Sequence, residues 1–247
     1  MKKVLIIGSG KSGKAAEELL KEKAETFIWD DKMDESLKPN VSDFDELLIS
    51  PGVPIFHPMV LESEKLGIRV TGELELAYEN CKGEFIAITG TNGKTTCTTL
   101  LKKIAYDNGI IPAEHNLANM QGNAEYIPIL QSRLDADVAI LEVGTFGVSG
   151  TVDRTCNNSD MEMALMTNIT PDHLSKGFLD YAKVKGEIIQ SLNGKKIIVN
   201  CQDPTIMGLI KQLDYQGEVI TFGLDWTPDK VGIKQCVCGE EIKVIQH

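Results

Sequence analysis

The chain contains no apolar run long enough to cross a membrane, since a spanning helix needs about 20 predominantly apolar residues. Residues 1–10 also lack a signal-peptide core with a small-residue cleavage site, so a cytoplasmic location is expected. A basic excess is missing too: 25 Lys and Arg stand against 36 Asp and Glu, for a formal charge of −11. A phosphate backbone selects for basic faces, so general nucleic-acid binding is excluded. There is no internal repeat and no low-complexity segment. Cysteine is sparse: six residues, of which Cys81, Cys97, Cys156 and Cys201 are scattered, and without a secretory signal they are expected to be reduced. Cys236-Val237-Cys238 comes nearest to a metal pattern, but two ligands do not make a zinc site.

What the chain does have is two glycine loops, each following a short apolar strand. Phe85 to Ile88 runs into Thr89-Gly90-Thr91-Asn92-Gly93-Lys94-Thr95-Thr96, and a helix is expected from Thr96 to Ala105. Strand, glycine loop, Lys-Thr and helix form the layout that cradles a nucleotide triphosphate. Glycines let backbone N–H groups approach the phosphates, and the helix N-terminus adds partial positive charge. Lys94 offers a point charge and Thr95 a hydroxyl ligand for Mg²⁺. The loop has two residues between Gly90 and Gly93 where the common form has four.

The other loop opens the chain. Lys3 to Ile7 reads as a strand, then Gly8-Ser9-Gly10-Lys11-Ser12-Gly13, then a helix from Lys14 to about Lys23. A second strand, Thr26 to Trp29, ends at Asp30, at the spacing of a dinucleotide fingerprint with its ribose-binding acid. Taken alone, this loop reads as an NAD site. The alternation of strands and helices over 247 residues predicts an α/β protein of two domains. The first is a Rossmann-like domain over residues 1–82, and the second is a P-loop domain with a mostly parallel sheet over residues 83–247.

Further candidates stand at strand ends, where parallel sheets bind ligands. Val138 to Val143 reads as a strand carrying Glu142, placed to reach a magnesium held by Thr95. Ala164 to Asn168 is another, followed by Ile169-Thr170-Pro171-Asp172-His173-Leu174, where His173 suits metal ligation or acid–base work. A helix follows through Tyr181-Ala182-Lys183-Val184-Lys185, whose lysines read as a solvated face, and then the strand Lys196 to Val199. Residues 151–160 read as a polar loop.

In this order the pieces resemble the Mur ligase superfamily, the ATP-dependent amide ligases of cell-wall precursor synthesis. The resemblance runs from Lys2 to about Gly223 and rests on Thr89 to Thr96, Glu142, Thr167 to Leu174, Tyr181 to Lys185 and Val199 to Asp203. The short phosphate loop is the family's own form. Ile49 to Val53 (Ser50 among them) and Val70 to Leu76 resemble the branch that adds D-glutamate to UDP-N-acetylmuramoyl-L-alanine. There the first loop holds the UDP part of the substrate and not NAD.

Carried over by position, the resemblance implies ATP at Gly90, Thr91, Asn92, Gly93, Lys94, Thr95 and Thr96. It implies a first Mg²⁺ at Thr95 and Glu142 and a second at His173 and Lys185. Lys185, the fourth residue after Tyr181, matches a lysine that is carbamylated in the family. Lys94, Lys185 and His173 are the implied catalytic residues. Gly8, Ser9, Gly10, Lys11, Ser12, Gly13, Asp30, Ser50, Asn123 and Thr145 are the implied substrate contacts, with Asn116 and Asn119 competing for the place of Asn123.

Some positions depart from the pattern. Gly144-Thr145 keeps only one hydroxyl after Glu142, and Ser175-Lys176 stands where an acid is common. These point to a divergent member, with an archaeal pseudomurein enzyme as one reading. The chain stops at His247, short of the family's third, C-terminal ligase domain, so a truncated and inactive chain is expected. The implied partners are a UDP-linked sugar or sugar-peptide and an amino acid, joined through an acyl phosphate. Relatives acting on tetrapyrroles, folates or glutamate polymers are alternatives, as is an NAD(P)-dependent oxidoreductase using the first loop.

Overall fold

Unbroken apolar character from Val4 to Ile7 calls for a strand covered on both faces, and β1 (Lys2–Ile7) is one. The structure is a computed structural model. It describes residues 1–50, 53–54, 56–73, 75–76, 79, 85–113, 136–144, 161–170 and 178–223, with side chains in the last stretch from residue 181 onward. Alongside β1 lie β2 (Ala24–Trp29), β3 (Glu46–Ile49) and β4 (Arg69–Gly72), all parallel, in the order β2-β1-β3-β4. Helices α1 (Lys11–Leu20) and α2 (Pro58–Lys65) belong to this part. Val4 and Ile6 share a core with Ala16 and Leu20, while Leu5 and Ile7 join Trp29, Met59 and Val60. Successive β1 residues thus bury on opposite faces, as a period of two requires.

Helix α1 begins at Lys11, earlier than the expected Lys14. Gly10 holds the extended backbone of a cap (φ −72°, ψ −167°), and the small residues Ser12 and Gly13 fit a first turn pressed against the loop. A Cβ on Gly13 would stand 1.9 Å from the Gly8 carbonyl oxygen. Only hydrogen fits there, so this glycine sets how closely helix and strand approach.

The second sheet holds β5 (Phe85–Thr89), β6 (Ala139–Glu142), β7 (Met161–Met166), β8 (Lys196–Asn200) and β9 (Glu218–Phe222). All pairs are parallel, in the order β6-β5-β7-β8-β9. Among the described residues its helices are α3 (Lys94–Asp107), α4 (Phe178–Ser191) and α5 (Pro204–Gln212). On one side Ile88 and Ile140 meet Ala105 of α3. On the other, Ala87, Leu141 and Ala164 share a core with Ile188 and Ile189 of α4 and Leu209 of α5. β7 begins at Met161 and ends at Met166, where the sequence pattern suggested Ala164 to Asn168. Thr167 and Asn168 leave the strand because their polar groups bond to the glycine loop beside them. Among the described residues no helix is long and apolar enough to cross a membrane.

Counted from its own first strand, each sheet has the second strand on one side and the third and fourth on the other. The first strand is therefore the switch point, where chain connections leave in opposite directions and a crevice opens. Both glycine loops follow such a strand.

Gly13→Ala should destabilise the chain by about 1–3 kcal/mol through overpacking. Thermal unfolding would show this as a Tm drop of several degrees, and an unchanged Tm would contradict the close approach.

Candidate active site

The loop after β5 is shaped by its neighbour β7. Gly90 has φ +145°, and a Cβ on it would lie 1.9 Å from Thr167 Oγ1, so no other residue fits without displacement. Thr91 N–H donates to the Asn168 carbonyl at 2.8 Å, and Thr167 Oγ1 donates to the Asn92 carbonyl at 2.7 Å. Gly93 caps α3 in the left-handed region and has no side chain with which to cap it. Nothing stands within 4 Å of the point where its Cβ would be. The mouth of the loop is open, and the first-turn N–H groups of a four-turn helix end there, an arrangement that suits an anion.

Lys94 and Thr95 form the first turn of α3. Lys94 Nζ donates to the Thr91 carbonyl at 3.0 Å. Thr95 is exposed, and its hydroxyl donates to Glu142 Oε2 at 2.7 Å. Glu142 itself is buried at the end of β6. A hydroxyl and a carboxylate oxygen this close are hard donors of the kind that magnesium takes. Among the described residues no group of three His, Cys, Asp or Glu side chains could hold a metal ion, so a full ligand set must draw on other groups.

Lys185 corrects the reading of its helix as a solvated face. Lys183 is exposed, but Lys185 is only 2% exposed, with Nζ 5.2 Å from the centre of the Tyr181 ring. Its pKa is lowered to about 7, first by burial and then by the charge of Lys94, with Glu142 opposing both. The Tyr181 hydroxyl lies 3.2 Å from Thr91 Oγ1. One turn of α4 thus faces Lys94, Glu142 and the loop together.

At the first loop, Ser9 gives both its N–H (2.9 Å) and its hydroxyl (2.8 Å) to Asp30 Oδ2. These bonds, with the Lys32 N–H, hold the Asp30 carboxyl below the usual range. Ser50 is buried, and its hydroxyl donates to the Gly8 carbonyl at 3.4 Å. Ser9, Gly10 and Lys11 are exposed while Ser12 is buried. His173, Asn123, Thr145, Cys236 and Cys238 lie outside the described residues.

Three residues near the second loop went unweighed as site residues in the sequence: Asn168, Tyr181 and Asp203. Asp203 receives the N–H groups of Thr205 (2.9 Å), Ile206 (3.1 Å) and Ile169 (2.6 Å). It thereby caps α5 and ties the segment after β7 to the end of β8. Asp followed by Pro at a helix start is a legible cap signal, but its bond to Ile169 has no local signature.

A parallel sheet with a glycine loop, an uncapped helix start and a hydroxyl–carboxylate pair at its switch point defines the phosphate-loop class of α/β proteins. Within that class the chain belongs to the Mur ligase family, whose middle-domain profile matches residues 88–245. It is 32% identical over 254 residues to the UDP-N-acetylmuramoylalanine–D-glutamate ligase of Caldicellulosiruptor saccharolyticus, covering 90% of this chain and 52% of that protein. It is 35% identical over 170 residues to the enzyme of the same name from Chloroherpeton thalassium, covering 68% of this chain and 35% of that protein. Among solved structures it resembles a pseudomurein peptide ligase type C from Methanothermus fervidus, at 29% identity and a TM-score of 0.56, over 98% of this chain and 53% of that one. The chain spans about half the length of these relatives, or less.

The burial of Lys185 has a pH signature. Its pKa is about 7 when folded and about 10.4 when unfolded. Between these values the unfolded chain binds the extra proton, so stability rises with pH across that window and is flat below it. Without nucleotide, metal or CO₂, Lys185→Met should be more stable than the unsubstituted chain by a margin that is wide at and below pH 7. That margin should shrink toward pH 10. Denaturant unfolding at the two pH values measures it, and a constant margin would contradict the burial of the ammonium.

Proposed function

We propose that this chain serves an ATP-dependent ligase that joins the carboxylate of a UDP-linked sugar or sugar-peptide to an amino acid in cell-wall precursor synthesis. The observation that carries this reading is the convergence on one loop of Lys94, the Thr95–Glu142 pair at 2.7 Å and the buried Lys185. The names of the relatives support the wall pathway. We assign residues 1–82 to the UDP substrate and residues 83–247 to the nucleotide, acting in the cytoplasm. ATP with Mg²⁺, when bound, supplies an activated phosphoryl group for the substrate carboxylate.

The chain's own residues have separate tasks. The N–H groups at the start of α3 and the Lys94 ammonium bring positive charge to the loop. Thr95 and Glu142 would hold one magnesium ion. Lys185 and His173 would hold a second, with Lys185 as a carbamate: its neutral amine bonds to the carbon of CO₂ and releases a proton to water. Burial and Lys94 favour the neutral amine that this needs, and the product is an anion between cations. Ser9, Lys11, Ser12 and Asp30 would meet the uridine diphosphate, with Ser50, Asn123 and Thr145 as further substrate contacts. The engagement of Asp30 by Ser9 supports a ligand other than a dinucleotide, since the ribose-binding acid of that fold is here turned to its own loop.

Calorimetric titration tests the assignment. UDP-N-acetylmuramoyl-L-alanine should bind saturably and NADH should not compete; saturable NADH binding that the UDP compound leaves untouched would overturn the first site. Lys94→Ala should keep its thermal unfolding curve but lose ATP affinity by about ten- to a hundredfold, the worth of a charged hydrogen bond. Unchanged affinity would remove the second site. With ¹³C-bicarbonate, carbon NMR should show a carbamate signal that Lys185→Met lacks.

A further inference from the structure

We propose that Asn168 is a positioning residue that presets the phosphate loop by pairing its carboxamide with the main chain of Asn92. The proposal rests on the reading of residues 90–95 as the nucleotide site. Asn168 Oδ1 accepts the Asn92 N–H at 3.0 Å, and Asn168 Nδ2 donates to the Asn92 carbonyl at 3.0 Å. A carboxamide carries one donor and one acceptor side by side, the complement of one residue's N–H and C=O. Only this orientation of the amide satisfies both bonds, which fixes the assignment of its oxygen and nitrogen.

Surrounding bonds make the pairing part of a template. The Asn168 carbonyl takes the Thr91 N–H at 2.8 Å, Thr167 Oγ1 donates to the Asn92 carbonyl at 2.7 Å, and Thr170 N–H donates to Thr91 Oγ1 at 3.0 Å. The Asn92 side chain donates in turn to Thr170 Oγ1 at 3.3 Å. Parallel pairing of β5 with β7, in which Thr89 stands opposite Met166, brings these segments together.

The consequence concerns which amides remain for a ligand. The N–H groups of Thr91 and Asn92 are turned back toward the end of β7, so the anion-facing series starts at Gly93 and continues into α3. Hydrogen bonds within the chain hold the loop in this shape, which lowers the ordering cost of binding. An aspartate at 168 would keep the acceptor for the Asn92 N–H. It would set an oxygen against the Asn92 carbonyl and add negative charge beside the loop.

Two measurements on the 247-residue chain test this. By NMR without nucleotide, Asn168→Ala should speed exchange of the Asn92 amide by about tenfold or more. By calorimetry, the Kd for adenylyl imidodiphosphate should rise about tenfold, as expected for two lost hydrogen bonds. Affinity for UDP-N-acetylmuramoyl-L-alanine should not change. Asn168→Asp should keep the Asn92 amide protected and still weaken the nucleotide analogue, and it carries the test should the alanine variant fail to fold. Wild-type exchange at Asn92 in the alanine variant, wild-type analogue affinity in both variants, or equal loss of both ligands would overturn the proposal. If the unsubstituted chain binds no analogue, the nucleotide reading fails, and the exchange rates alone decide whether the clamp exists.

Discussion

An amino group buried beside another lysine is the constraint around which the second half of the chain is arranged. Taking an ammonium from water costs several kcal/mol unless it is paired or neutral. Lys185 meets that cost with a shifted pKa, a facing carboxylate at Glu142 and an aromatic ring at Tyr181. Each of these partners is itself fixed: Glu142 by the Thr95 hydroxyl, Tyr181 by contact with Thr91. Moving any one of them changes the electrostatic environment of the others. The site therefore behaves as a coupled set, and substitutions within it should not add independently.

The backbone frame makes that set possible at low cost. β5 runs between β6 and β7, so its end has the carboxyl end of a parallel strand on either side. β6 delivers a carboxylate, β7 delivers the Thr167–Thr170 segment, and α3 starts between them. The close approaches at Gly13 and Gly90 are the price of that economy, because a methyl group at either position meets a neighbour's oxygen at 1.9 Å.

Much of this was legible in the sequence because the signals are local. Apolar runs at Val4–Ile7 and Phe85–Ile88, each followed by glycines, mark the first strand and loop of each sheet without reference to anything distant. Glu142 could be placed at a strand end for the same reason. Lys185 could not be told from Lys183 by composition, since the difference is only which side of α4 faces the sheet; it was singled out through family resemblance. The pairing of Asn92 with Asn168 spans 76 positions and depends on the register of β5 against β7, which no local pattern encodes. Strand ends shifted for a related reason: at Thr167 and Asn168 side-chain bonding to the loop outweighed β propensity.

The repeated strand order has a consequence for how such a chain can diverge. On the proposed reading, two sites, each at the switch point of its own sheet, divide recognition from energetics. If the first loop holds the acceptor as proposed, it can be reshaped for a different one by changes at Ser9, Lys11, Asp30 and their neighbours, while Lys94, Glu142 and Lys185 are left in place. A fold partitioned in this way would let one chemistry be handed from substrate to substrate by altering a single module.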